Sequence, residues 1–469
     1  MIFLHVKLSL ALTLLVACLS SMSWSDGDPK LQRHGRTLVG DKANDVATSM
    51  AVDSQGNSYV TGYSKGQGTG YDFLTLKYDT DGALVWAQRL DGGTSGDDKP
   101  AAIKVDEAGN VYVTGSSQGS TSDADYLTVK YDQSGKLLWK RRFNGTGNGY
   151  DTPTSMAINA KGDVFVTGFS LSKGSGYDCV TIKYDADGNQ QWEKTYNGPE
   201  NEDDYANAIG LDSTGDCFIT GYSKTTKSGA NYLIIKYESD GKAAWVRQFA
   251  IGQTNTAKAT SLAVDLQGGV CVTGYAQGTH PTFDYVTIKY DASGRALWSQ
   301  RFDGVGHGDD KPAAIMIDAS GNYYVTGESY GGSASGKDFL TIKYSPDGRV
   351  VWQNRFDGTG LSDAASAIAL DPNGGVAVTG LSVGVDSGSD FLTVKYGPDG
   401  KQSWSQRYNG EANDVDRPVA VAVDPRGNVY VAGYSWGGKE SGFDFVTIKY
   451  GLDGKSLWVK RYDGGGTLQ

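Results

Sequence analysis

Apolar and polar residues alternate along this chain in short runs, and the runs recur in sets of four. The set within residues 98–150 shows the pattern. KPAAIKVD comes first; its small residues Ala101 and Ala102, matched at Ser49, Ala208, Ala314 and Ala420, predict a strand in a crowded interior. NVYVTGSS, β-branched and aromatic, predicts a second strand, ending in a Thr-Gly pair that recurs at Thr61-Gly62, Thr167-Gly168, Thr273-Gly274 and Thr379-Gly380. DYLTVKYD predicts a third, with Tyr126, Thr128 and Lys130 on one face and Leu127, Val129 and Tyr131 on the other, both faces reading as buried. LLWKRRFNG is the fourth. Turns opened by Asp53, Asp318 or Asp424 and closed by Gly-Asn, and D-x-D-G turns at 79–82 and 185–188, predict tight hairpins.

The set returns every 52 to 54 residues. Its third-strand lysine stands at Lys77, Lys130, Lys183, Lys236, Lys289, Lys343, Lys395 and Lys449, and its fourth-strand tryptophan keeps the same interval from Trp86 to Trp458. Units of this length bury their faces only against neighbours, which marks a radial array. The reading is all-β: an eight-bladed propeller over 45–469, four antiparallel strands per blade. Blades start near Asp45, Asp98, Asp151, Asp204, Ala257, Asp310, Asp363 and Asp416. Two stacked four-bladed rings are the alternative. Each Trp is expected between neighbouring blades. Arg36 stands nine residues before Asp45 as Arg89 does before Asp98, so residues 31–40 are expected to form a remnant outer strand helping to close the ring.

At the N-terminus, Lys7 and an apolar run at 8–19, too short to span a bilayer, read as an export signal over 1–17. Leu15-Val16-Ala17-Cys18 resembles a bacterial lipoprotein box, which implies lipidation of Cys18, a tether at 18–44 and anchoring in the envelope, the outer membrane favoured. With 54 acidic against 43 basic side chains, the net charge of -11 argues against nucleic acid as a partner. Cys179, Cys217 and Cys271 replace apolar residues of other repeats and are expected to be buried and inert.

The patterns at 423–433 and 444–458 resemble the bacterial β-propeller repeat family named for its seven-bladed members. The resemblance implies an exported or surface propeller and supplies no catalytic residues. The K-Y-x-x-D-G-x-x-x-W stretch is also similar to quinoprotein propeller repeats, but the adjacent cysteine pair of many quinone-cofactor dehydrogenases is missing, so no cofactor is expected. In blade number and implied anchoring, the chain is similar to the lipoprotein propeller of the outer-membrane β-barrel assembly machine.

Seven blades open on an aspartate: Asp45, Asp98, Asp151, Asp204, Asp310, Asp363 and Asp416. As a ring of carboxylates at one channel mouth they would attract Ca²⁺ or basic groups. The favoured expectation is structural: each brackets its own blade, paired with an Arg nine residues earlier, as Arg142 precedes Asp151 and Arg301 precedes Asp310. The third-strand lysines are expected to bond carboxylates such as Asp72 or these aspartates. The long loops share one face of the ring and carry Tyr150, Tyr205, His280, His307, Glu328, Tyr330 and Trp436, the candidate contact residues for a protein or glycan partner. Binding or scaffolding is thus the expected function. The enzymatic alternative is a hydrolase or lyase at the channel mouth, with His280 and His307 acting beside Asp309 or Glu328.

Overall fold

The computed structural model describes residues 44–227, 229–250, 256–278, 282–358, 361–439 and 441–464. In blade 1, strands β1 (Asp45–Val52), β2 (Ser58–Lys65), β3 (Tyr71–Tyr78) and β4 (Leu84–Leu90) form one antiparallel sheet in sequence order. Seven more four-stranded sheets follow, opening on inner strands at Asp98, Asp151, Asp204, Ala257, Asp310, Asp363 and Asp416. The protein is an eight-bladed propeller, with no helix among the described residues. The ring closes on itself: β1 packs against the last blade's strands Asp416–Val423, Val429–Trp436 and Phe443–Tyr450. Neighbouring blades pack at the middle of the chain as they do elsewhere, so two stacked rings are excluded. Closure is by packing, since every sheet consists of four consecutive strands. The segment expected to act as a remnant strand, 31–40, lies outside the described residues, as do the leader and Cys18.

The tryptophan explains the packing. Trp86 stacks at an angle between Tyr59 of its own blade and Tyr131 of the next, and its indole N–H donates to the carbonyl of Gln133 in that blade's second turn, 3.2 Å away. All eight repeat tryptophans donate in this way, the last from Trp458 to Thr80 across the closure. Each ring lies on the glycine of the accepting turn; a Cβ built on Gly135 would stand 2.9 Å from Trp86. Buried threonine pairs tie the second and third strands within blades, as Thr114 and Thr128 do at 2.9 Å.

The lysines differ from expectation. They do not bond Asp72 or the blade-opening aspartates, because the third strand carries them to the tight-turn side of the ring. There Lys183, Lys236, Lys289 and Lys395 pair with Asp163, Asp216, Asp265 and Asp371 of their own blade's first turn. Lys77, Lys130 and Lys449 donate instead to the carbonyl that also receives the Trp. Lys289 is 4% exposed, and replacing it with Met would leave the Asp265 carboxylate nearly buried without its cation. The expected loss is ~3 kcal/mol in urea unfolding; a change under ~1 kcal/mol would contradict this role.

The three cysteines are buried thiols, each pushed up in pKa by burial.

Candidate functional site

On the long-loop side, the second residue of each inner strand varies within an otherwise regular repeat: Val46, Lys99, Thr152, Tyr205, Lys258, Lys311, Ala364 and Arg417. At several interfaces it sits over rings of the preceding blade. Lys99 stands 5.6 Å from the centroids of both Tyr63 and Tyr71, Lys258 lies 4.3 Å over Tyr222, and Lys311 covers Phe283 at 4.9 Å. Tyr205 packs on Phe169 and stacks on Tyr222, both at 4.8 Å. The result is a half-buried belt of rings and cations around this side of the ring.

Its charges are partly neutralised within the loops. Asp97 pairs with Lys99 at 3.2 Å, Asp309 with Lys311 at 2.6 Å, and Asp203 with Lys224 at 2.7 Å while accepting from the Tyr205 hydroxyl. Lys258 has no carboxylate partner among the described residues; burial, then the Lys224 charge, pull its pKa below the usual lysine value. Such an ammonium on an aromatic face suits acidic or polar ligands. Between blades 8, 1 and 2 the belt dips into a recess of about 360 Å³, with Tyr63, Tyr71, Lys99, Arg417, Tyr434 and Phe443 among its walls.

The candidates read from the sequence fall in different places. Tyr205 is in the belt. Trp436 is half-buried beside it, edge-on to Phe443 at 5.1 Å. Tyr150 is 55% exposed. Tyr330 borders the loop that carries Gly306 and Gly308, its backbone N–H donating to Asp310. Glu328 is buried and ion-paired with Lys337 at 2.8 Å. His307, in the left-handed backbone region, places Nδ1 3.0 Å from Asp303. His280 lies outside the described residues. Among the described residues His307 pairs with Asp303, Glu328 with Lys337 and Asp309 with Lys311, which stands opposite Glu328 on the neighbouring strand. Sequence reasoning passed over Tyr63, Lys99, Lys258, Lys311, Arg417 and Tyr434; the signal available was the changing residue after each blade-opening position.

The blade-opening aspartates are 0 or 1% exposed, so they bracket blades and do not line the channel mouth as a ring. Asp98 accepts from the Gly92 N–H of the incoming loop at 2.6 Å. The associated arginine is that of the same blade, not the one nine residues upstream: Arg142 binds Asp125 at 2.9 Å, the Ser117 hydroxyl at 2.6 Å and the Gly92 carbonyl at 3.2 Å. Linear proximity misled here because the upstream arginine belongs to the neighbouring sheet. Burial raises these carboxyls, Asp45, Asp204 and Asp363 to about 6, and nearby aspartates push the same way. Asp72, Asp91 and Asp98 bring one oxygen each within 4.8 Å of one another, and Asp45, Asp444 and Asp463 do the same where the ring closes.

Residues 36–68, 85–120 and 404–438 match the sequence model of the family described as beta-propeller repeat. The latter two matches run from an outer strand across the blade interface into the next blade's second strand. An uncharacterized WD repeat-containing protein of Acanthamoeba polyphaga mimivirus is 23% identical over 483 residues, covering 80% of this chain and 32% of that protein. The regulatory protein FlaEY of Caulobacter vibrioides is 28% identical over 122 residues, 23% of this chain and 12% of that protein. The chain therefore spans a third or less of the length of these relatives. Among solved structures, the β-propeller domain of the Trilobed protease from Pyrococcus furiosus aligns with a TM-score of 0.46 at 7% identity, covering 89% of this chain and 96% of that one. With the eight sheets and the matched segments taken together, this chain is an eight-bladed β-propeller built of repeats, three stretches of which are similar to the beta-propeller repeat family.

Proposed function

We propose that the protein is a non-enzymatic binding or scaffolding module of the bacterial envelope, exported and anchored through Cys18, which engages a protein or glycan partner with its long-loop face. The belt carries this reading. Its rings and cations vary from blade to blade, while the residues that build each blade recur. Rings give contact area at low conformational cost, and cations beside them orient polar groups of a partner. The distant WD repeat-containing relative supports a binding role of this general kind.

The test is capture of envelope proteins and screening of glycans with wild type against a Lys99→Ala, Lys258→Ala, Arg417→Ala variant, folding checked by circular dichroism. Losing three cations at the contact is expected to weaken the partner at least tenfold, ~1.4 kcal/mol. A folded variant that retains every partner at wild-type affinity would sink the reading.

A further inference from the structure

The aspartates left over from bracketing form a second repeated arrangement, shared between blades. At the first interface Asp72 comes from the third strand of blade 1, Asp91 follows its outer strand, and Asp98 opens blade 2. Asp72 and Asp98 are 2% and 1% exposed. Each spends Oδ2 on a donor, Arg89 and the Gly92 N–H respectively. The Asp72 Oδ1 is left with no hydrogen-bond partner among the described residues, and the only donor beside the second oxygen of Asp98 is the Ser117 hydroxyl. A buried carboxylate oxygen without a donor therefore belongs to an acidic cluster whose second buried member has a single hydroxyl beside its free oxygen.

The same arrangement recurs elsewhere. Asp178 with Asp204 and Asp390 with Asp416 repeat it, and so do Asp338 with Asp363 and Asp444 with Asp45. The third position is aspartate or asparagine at each of these interfaces, as at Asp357 and Asn197, so an oxygen ligand is always present. Between blades 3 and 4 the two buried carboxylates also lack the arginines of other blades, whose places are taken by Thr195 and Gln248.

Between blades 2 and 3 and blades 5 and 6 the residues are kept, with the inner-strand Oδ1 accepting from the Leu171 or Tyr330 N–H; one interface departs in residue type, and it departs at all three positions. Between blades 4 and 5 they read Asn231, Ala250 and Ala257. If each carboxylate served only its own blade, nothing would tie a loss in blade 5 to losses in blade 4. A shared cation ties them, because once it is gone each remaining carboxylate is an uncompensated buried charge.

We propose that these trios are calcium sites, one at each blade interface that keeps the three oxygen-bearing side chains. The donor set is all oxygen and anionic, which selects a hard cation. Oxygens within 4.8 Å of one another fit around one Ca²⁺ at about 2.3–2.6 Å from each. The ion satisfies the orphaned oxygens and crosslinks two sheets that share no strand. At Asp45, Asp444 and Asp463 it joins the last blade to the first, whose sheets share no strand.

The test uses the full chain stripped with EGTA, then titrated with CaCl2 by calorimetry and with Tb³⁺, whose luminescence nearby aromatic rings sensitise. Calcium is expected to raise the melting temperature and displace Tb³⁺. Asp91→Ala, half-buried and accepting only a local Gly93 N–H, keeps the fold and lowers the number of bound ions by one. No calcium bound at millimolar concentration, an ion count unchanged in Asp91→Ala, or equal stabilisation by MgCl2 would each overturn the assignment.

Discussion

Trp245→Ala is expected to cost about 3–5 kcal/mol in urea unfolding, the range for removing a large aromatic from a packed core, while Trp436→Ala stays within about 1 kcal/mol of wild type. Trp245 is 9% exposed, tilted between Phe218 at 6.0 Å and Tyr290 at 6.4 Å, and its N–H donates to the Ala292 carbonyl at 3.0 Å. The Arg247 guanidinium covers the ring at 5.4 Å. Removing the indole opens a cavity between two sheets and strands that carbonyl. It does so at the one interface where Asn231, Ala250 and Ala257 replace the acidic trio, so fewer other bonds hold the blades together. Trp436 touches a loop-face ring and leaves no comparable void. Equal unfolding midpoints for the two variants would contradict these assignments.

Gly168→Ala is expected to rank beside it, at or above about 3 kcal/mol, the upper end for overpacking. The inner strand of blade 3 bulges at Thr154, between residues paired with Thr167 and with Gly168. The bulge presses Thr152 and Pro153 onto the glycine. A Cβ there would stand 2.1 Å from the Thr152 carbonyl oxygen and 2.7 Å from the Pro153 Cα, and main chain cannot turn aside as a side chain can. The bulge itself is held, since the Thr154 hydroxyl donates to the Ala206 carbonyl of the next blade at 2.8 Å. Wild-type melting of Gly168→Ala would show that the inner strand can shift, and would remove the reason for the recurrent Thr-Gly pair.

The blade count and strand order were legible because one physical need, a Trp seated on a turn glycine, repeats at a fixed interval. The Thr-Gly pairs were visible as well, though not the bulge that requires the glycine. Partnerships were less legible. Arg142 stands near Asp151 in sequence, yet it serves Asp125, Ser117 and Gly92, because its long side chain reaches back from the outer strand across the third and second strands of its own sheet to the incoming loop. The lysine partners failed for a related reason: alternation states which face a side chain takes, not which end of the sheet holds its counter-charge. The belt was hidden because Lys99 and Lys258 lie inside runs that read as plain inner strands. The acidic trios draw on positions from two blades, which only the folded ring brings together.

The indole-to-turn bond has a direction. Each blade donates to the one after it and accepts from the one before, and the bond from Trp458 to Thr80 completes the circuit. A unit whose outgoing surface complements its own incoming surface is a link that fits any copy of itself, as in the head-to-tail interfaces that generate closed rings of subunits. Duplicating such a unit in a gene yields a part that is already matched at both ends. The number of blades is then bounded by the angle at which the circle shuts, and the bonding chemistry stays the same whatever that number is.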